Sequence, residues 1–158
     1  MSVLSTPVTT MIPVARPYIG TEEEQSVLDV LRSGWVTQGP RVAEFETRFS
    51  AYIGCDYSVA VSSCTTALHL ALLAAGVGPG DEVICPSLSF IATANSIAYT
   101  GATPVFGDID LATYNLDPAR VEEVITPRTK AILVVHQIGL PAEMNTLLAV
   151  ASKHGLAV

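Results

Sequence analysis

Positive charge is what this sequence has least of: eight Lys and Arg stand against fifteen Asp and Glu in 158 residues, a formal net charge of −7. That balance excludes a basic footprint for nucleic acid or an anionic membrane surface, so a phosphate-bearing ligand would have to be gripped locally, by N–H groups. Cysteine is scarce as well. Cys55, Cys64 and Cys85 are odd in number and without metal-ligand spacing, which argues against a disulfide framework or zinc site and predicts reduced thiols. No run approaches the ~20 apolar residues of a membrane span; even 96–105 is broken by Tyr99, Thr100, Gly101 and Pro104. The first ten residues lack a basic segment followed by an apolar one, so no secretory signal is read and a cytoplasmic location is expected. A glycine-rich dinucleotide fingerprint and a P-loop lysine are both missing, which makes NAD and ATP poor ligands for this chain.

What is present is aliphatic. Hydrophobic residues make up 49% of the chain and charged ones 15%, spread over short segments, the composition of a well-filled α/β protein. A compact chain of this length buries roughly 70% of its unfolded surface, enough for a sizeable core. Residues 1–20, with three prolines and a threonine run, predict an extended arm. Thr21 before Glu22, Glu23 and Glu24 reads as a capped helix start, and Val42, Phe45, Phe49 and Tyr52 give a second amphipathic helix that Gly54 ends.

Thereafter strand and helix patterns alternate. Strands are predicted at 57–61, 82–85, 104–109 and 131–136, and helices at 65–75, 91–99, 118–125 and 142–154, with Gly155 as the last C-cap. Repeated β-then-α units imply an α/β fold with a mostly parallel sheet and helices on both faces, whose ligands sit at the carboxyl ends of the strands. Residues 156–158 look like a further strand begun and left unfinished, which predicts that the chain is a piece of a longer domain covering 21–158.

One strand end carries chemistry. The apolar run at 59–61 breaks into Ser62-Ser63-Cys64-Thr65-Thr66 and then becomes a helix. Hydroxyls and free N–H groups at a helix N-terminus suit a phosphate, and they equally suit a plain polar cap. A second strand end, Cys85 to Asn95, sets Phe90 at the mouth of the sheet, either as a core residue or as a flat lid on a heteroaromatic ring. His69, His136 and His154 form no ligand set; of the three, only His136 ends a strand on the side where a site would lie. Asp108 and Asp110 end a strand and read as loop residues, and Lys130 and Lys153 as solvated charges.

Taken in order, Ser33 to Pro40, Val61 to His69, Gly78 to Ile84, Pro86 to Asn95, Gly101 to Phe106 and His136 to Ala142 resemble the DegT/DnrJ/EryC1/StrS family of sugar aminotransferases, pyridoxal-phosphate enzymes of aspartate-aminotransferase fold type I. The resemblance implies part of that fold's large domain and transfer of an amino group from an amino acid to a nucleotide-linked keto-sugar. It implies a homodimer for the full-length protein. It implies that Cys64, Thr65 and Thr66 bind the cofactor phosphate, that Phe90 stacks on its ring, and that Trp35 lies near the sugar-nucleotide entrance. Cys64 departs from the family's usual Gly or Ala, a tolerable change where only the backbone is used. The acid that pairs with the ring nitrogen and the lysine that holds the cofactor covalently come later in the family's order. Residues 1–158 alone are therefore expected to be inactive. Two alternatives stay open: a sugar dehydratase of the same family, with histidine in place of the lysine, and a non-catalytic ligand-binding or regulatory protein.

Overall fold

Val83, Ile84 and Cys85 have no exposed surface, because β1 (Glu82–Pro86) is the centre of a three-stranded parallel sheet, flanked by β2 (Thr103–Gly107) and β3 (Thr129–Ile132) in the order β2-β1-β3. Alternate residues of β1 feed two separate cores. Val83 and Cys85 pack with Leu72, Ile97 and Ala102 on one face, and Ile84 packs with Leu116, Val121, Ile132 and Leu147 on the other. Burial of each Val, Leu or Ile side chain contributes about 1.5–3 kcal/mol, and burial pushes the Cys85 thiol up to about 11.

The connections explain which helix goes where. The crossover from β1 to β2 carries α4 (Ala92–Tyr99), whose Ile97 lies in the first core; the crossover from β2 back past β1 to β3 carries α5 (Pro118–Glu123), whose Val121 lies in the second. Right-handed crossovers run in opposite directions across a sheet put their helices on opposite faces. On the first face α3 (Cys64–Ala74) packs beside α4, His69 meeting Tyr99 edge-on at 5.8 Å between ring centroids. On the second, α6 (Met144–His154) packs against α5 and ends at Gly155, whose φ of 67° suits a residue without Cβ. Asp117 caps α5, its carboxylate accepting from Ala119 N at 2.9 Å, and Pro118 follows at the first helical position.

This computed structural model describes residue 13 and residues 15–158, so most of the arm expected over 1–20 lies outside the described residues. The chain divides into two compact units, the first ending at Ala60 and the second spanning Val61–Val158, where the sequence reading put one domain over 21–158. The first unit contains α1 (Thr21–Ser33) and α2 (Pro40–Ile53), which share no strand with the second unit's sheet. Gly20, not Thr21, is the N-cap of α1: its N–H donates to the Glu23 carboxylate at 2.7 Å, which holds that carboxyl below its usual range.

Residues 57–61 do not form the expected strand. Their polar groups are tied to α2 instead, Ala60 N donating to Glu46 Oε1 at 2.8 Å and Ser50 Oγ to Ser58 Oγ at 2.7 Å, and Tyr57 is left 89% exposed. The strand expected at 131–136 runs from Thr129 to Ile132, and that expected at 104–109 ends at Gly107. The beginning of a strand at 156–158 is borne out: Ala157 bridges Ala131 in parallel on the open side of β3, with Ile132 N donating to Ala157 O at 2.8 Å.

The amino end of the sheet holds a charge that the sequence reading passed over. The Glu82 side chain is 7% exposed and accepts from the Thr126 hydroxyl and from the Arg128 guanidinium, whose Nε lies 3.0 Å from Oε1. The Thr126 hydrogen bond first, and then Arg128, hold the Glu82 carboxyl below its ordinary 4.5. A lowered folded-state value stabilises fully above that ordinary value and is lost as pH falls through the lowered one. The stability gap between wild type and Glu82→Gln in urea is therefore expected to be widest at neutral pH and to close in acid. A gap independent of pH would contradict the assignment.

Candidate functional site

In the order β2-β1-β3 the connection after β1 leads to one side and the next crosses back to the other, and it is at such a switch point, beyond the carboxyl ends of the strands, that open parallel sheets hold ligands. The second unit has a cleft of about 550 Å³ there. Ser89, Phe90 and Thr93 line it from the chain after β1, residues 133–138 from the chain after β3, and Cys64, Thr65 and Leu68 from α3. The first turn of α3, the aromatic after β1 and the histidine after β3, distant in sequence, thus share one opening.

The N-terminus of α3 is built by its own hydroxyls. Ser63 is the N-cap: its Oγ accepts from Thr66 N at 3.2 Å and sits 3.0 Å from Thr66 Oγ1, with Ser62 Oγ 3.4 Å from that same hydroxyl. Thr66 is therefore engaged within the cap and is not among the lining residues of the cleft. Cys64 and Thr65 are the residues left available. Their N–H groups, the first two of the helix, and the Thr65 hydroxyl take no partner among the described residues. The cap expected from the sequence is thus formed by Ser63 with Thr66, and it leaves the N–H groups of Cys64 and Thr65 open to the cleft.

Phe90 is 78% exposed and lines the cleft; it is not a core residue. Behind it the Ser89 and Thr93 hydroxyls lie 2.6 Å apart. On the β3 side, His136 Nδ1 accepts from Ala142 N at 3.1 Å. The next residue is pinned by Asn115, buried to 4% exposure, whose Oδ1 accepts from Gln137 N at 2.8 Å while its Nδ2 donates to Leu140 O at 3.0 Å and Pro141 O at 3.3 Å. These bonds hold Ile138 in the left-handed region at φ 52°, a conformation a β-branched residue adopts only under constraint. Sequence reasoning missed Asn115, since nothing in Tyr114-Asn115-Leu116 sets it apart from a turn residue.

Among the described residues no Lys, Arg, Asp or Glu lines this cleft. Lys153 pairs with Glu122, as does His154 at 3.1 Å, and Lys130 is exposed. Asp110 shapes its own loop, accepting from Ala112 N at 3.1 Å and Thr113 N at 2.9 Å. A phosphate suits the α3 end, where N–H groups and the helix dipole favour an anion and no carboxylate opposes it, and a flat ring suits Phe90. Trp35 belongs to the first unit and lines that unit's own cleft with Val36, Thr37 and Pro40. Its indole Nε1 donates to Gln38 O at 2.9 Å and lies so close over Gly39 that a Cβ there would come within 2.4 Å.

Comparison with known proteins follows this geometry. The model of the DegT/DnrJ/EryC1/StrS aminotransferase family matches residues 17–158. The chain is 54% identical over 147 residues to the spore coat polysaccharide biosynthesis protein SpsC of Bacillus subtilis (strain 168), covering 93% of this chain and 38% of that protein. It is 49% identical over 148 residues to GDP-perosamine synthase of Caulobacter vibrioides, covering 93% of this chain and 40% of that one. Among solved structures, the PLP form of Spr1654 from Streptococcus pneumoniae superposes with a TM-score of 0.86 at 39% identity, over 93% of this chain and 38% of that chain. The chain spans about two fifths of the length of the curated relatives it matches.

Proposed function

This chain belongs to the DegT/DnrJ/EryC1/StrS aminotransferase family, and we propose that the whole protein moves an amino group from an amino acid to the keto carbon of a nucleotide-linked sugar. Pyridoxal phosphate is the cofactor to which the family and the PLP form of its structural neighbour point. When bound, that group supplies an electron sink for exchanging an amine between two carbon skeletons. The observation that carries the reading is the meeting of the free Cys64 and Thr65 N–H groups with Phe90 in one cleft at the switch point of the sheet.

The residues of this chain bind and orient. Cys64 offers its N–H to the phosphate, and Thr65 its N–H and hydroxyl; Thr66, through Ser63, holds the turn in shape. Phe90 stacks on the ring from the β1 side, and Trp35, in the first unit's own cleft, is the residue assigned to the sugar nucleotide. With no lysine or carboxylate lining the cleft among the described residues, residues 1–158 hold the cofactor without completing the chemistry and do not turn over on their own. The working enzyme is a cytoplasmic homodimer.

Phe90→Ala is expected to weaken cofactor binding modestly, by about 0.5–1.5 kcal/mol beyond lost burial. Equilibrium dialysis measures it, and unchanged affinity would remove Phe90 from the site. The function itself is tested by giving the purified full-length protein pyridoxal phosphate, an amino acid and a nucleotide keto-sugar. An aminated sugar nucleotide with matching keto-acid is the expected product. Deoxygenated sugar without amine transfer would identify a dehydratase, and cofactor binding without either product a non-catalytic protein.

A further inference from the structure

We propose that His136 contacts the ligand of the cleft, donating a hydrogen bond from Nε2 to an oxygen borne on the phosphorylated ring; the inference rests on the cofactor reading above. His136 follows β3, on the far side of the switch point from β1, and lines the same cleft as Cys64, Thr65 and Phe90. Its tautomer is set by its neighbour. Ala142 N can only donate, so Nδ1, 3.1 Å away, is the unprotonated nitrogen, and the neutral ring carries its proton on Nε2. Nε2 takes no partner among the described residues.

The surroundings make this donor rigid. The chain just after it is pinned by Asn115, through Gln137 N at 2.8 Å and Leu140 O at 3.0 Å, and the ring itself is tied to Ala142. A donor held in one tautomer on a pinned loop loses little freedom when it engages a ligand. The other polar side chains of the cleft are less suited. The Ser89 and Thr93 hydroxyls already face each other at 2.6 Å, and Gln137 lines the same lip without a hydrogen bond fixing its amide among the described residues.

Two substitutions separate contact with the ligand from support of the loop. In His136→Asn the side-chain oxygen reaches the place of Nδ1 and keeps the bond to Ala142, but no atom replaces Nε2. In His136→Gln an amide N–H reaches the place of Nε2, and the acceptor for Ala142 is gone. Both are made in the full-length protein, and the readouts are the thermal midpoint of the cofactor-free form, the dissociation constant for pyridoxal phosphate by equilibrium dialysis, and the absorption band of the bound cofactor. His136→Asn is expected to keep the midpoint, bind about tenfold more weakly and shift the band. His136→Gln should stay closer to wild type in affinity while its midpoint falls. Wild-type affinity in His136→Asn, or affinity that follows the midpoint in both variants, would overturn the inference and leave His136 a loop clasp. Failure of the wild type itself to bind pyridoxal phosphate would instead overturn the cofactor reading, and this inference with it.

Discussion

Thr65→Val in the full-length protein is expected to loosen pyridoxal phosphate by on the order of ten- to a hundredfold, and Cys64→Ala by far less. Valine keeps the shape of threonine and its backbone N–H, so the hydroxyl alone is lost. That hydroxyl takes no partner among the described residues, lines the cleft from the first turn of α3, and has a helix N-terminus behind it. A hydrogen bond to a charged group of this kind contributes about 1.5–3 kcal/mol. Cys64 offers the same cleft a backbone donor that alanine retains. Equilibrium dialysis on both variants, with circular dichroism to establish folding, decides the matter. Equal affinities in Thr65→Val and wild type would place the phosphate elsewhere.

Ile84→Ala is expected to destabilise the fold by about 2–5 kcal/mol, the range for emptying a fully enclosed aliphatic position. Ile84 has no exposed surface and packs against Leu116, Val121, Ile132 and Leu147, so no single neighbour can move in to fill the space. It also pairs with Ile132 across the very strands whose carboxyl ends flank the cleft, and its carbonyl accepts from Leu133 N at 2.8 Å. Loss of stability should therefore come with looser cofactor binding. Leu148, of the same size on the outer side of α6, is 48% exposed, and Leu148→Ala should stay within about 0.5 kcal/mol of wild type. A denaturant midpoint for Ile84→Ala matching that of Leu148→Ala would contradict the two-core description.

The parallel sheet was legible because its strands read as short aliphatic runs, and the central one, buried throughout at 82–86, follows the glycine-rich turn Gly78-Pro79-Gly80. The run at 57–61 looks the same locally, but a strand exists only where a partner accepts its hydrogen bonds, and here the Ala60 N–H goes to the Glu46 carboxylate of α2 while the Ser58 hydroxyl accepts from Ser50. Pairing is a long-range property that no local pattern reports. The site divides along the same line. Ser63 and Phe90 announce themselves by type and position, whereas the division of labour between Thr65, free, and Thr66, tied into the cap, depends on rotamers. Asn115 reaches Gln137, Leu140 and Pro141 across more than twenty residues of sequence, and its role became visible only once β3 and its following loop were in place.

The three cysteines give the most direct test of where the phosphate sits. Cys64 and Cys55 are exposed, the first at the proposed seat and the second in the other unit, while Cys85 is buried with its thiol raised to about 11. Iodoacetamide labelling of the full-length protein, read peptide by peptide by mass spectrometry, should modify Cys64 and Cys55 and spare Cys85 until the protein unfolds. Saturating pyridoxal phosphate should then slow the labelling of Cys64 severalfold and leave Cys55 unchanged. Labelling of Cys64 at the same rate with and without the cofactor would contradict the account.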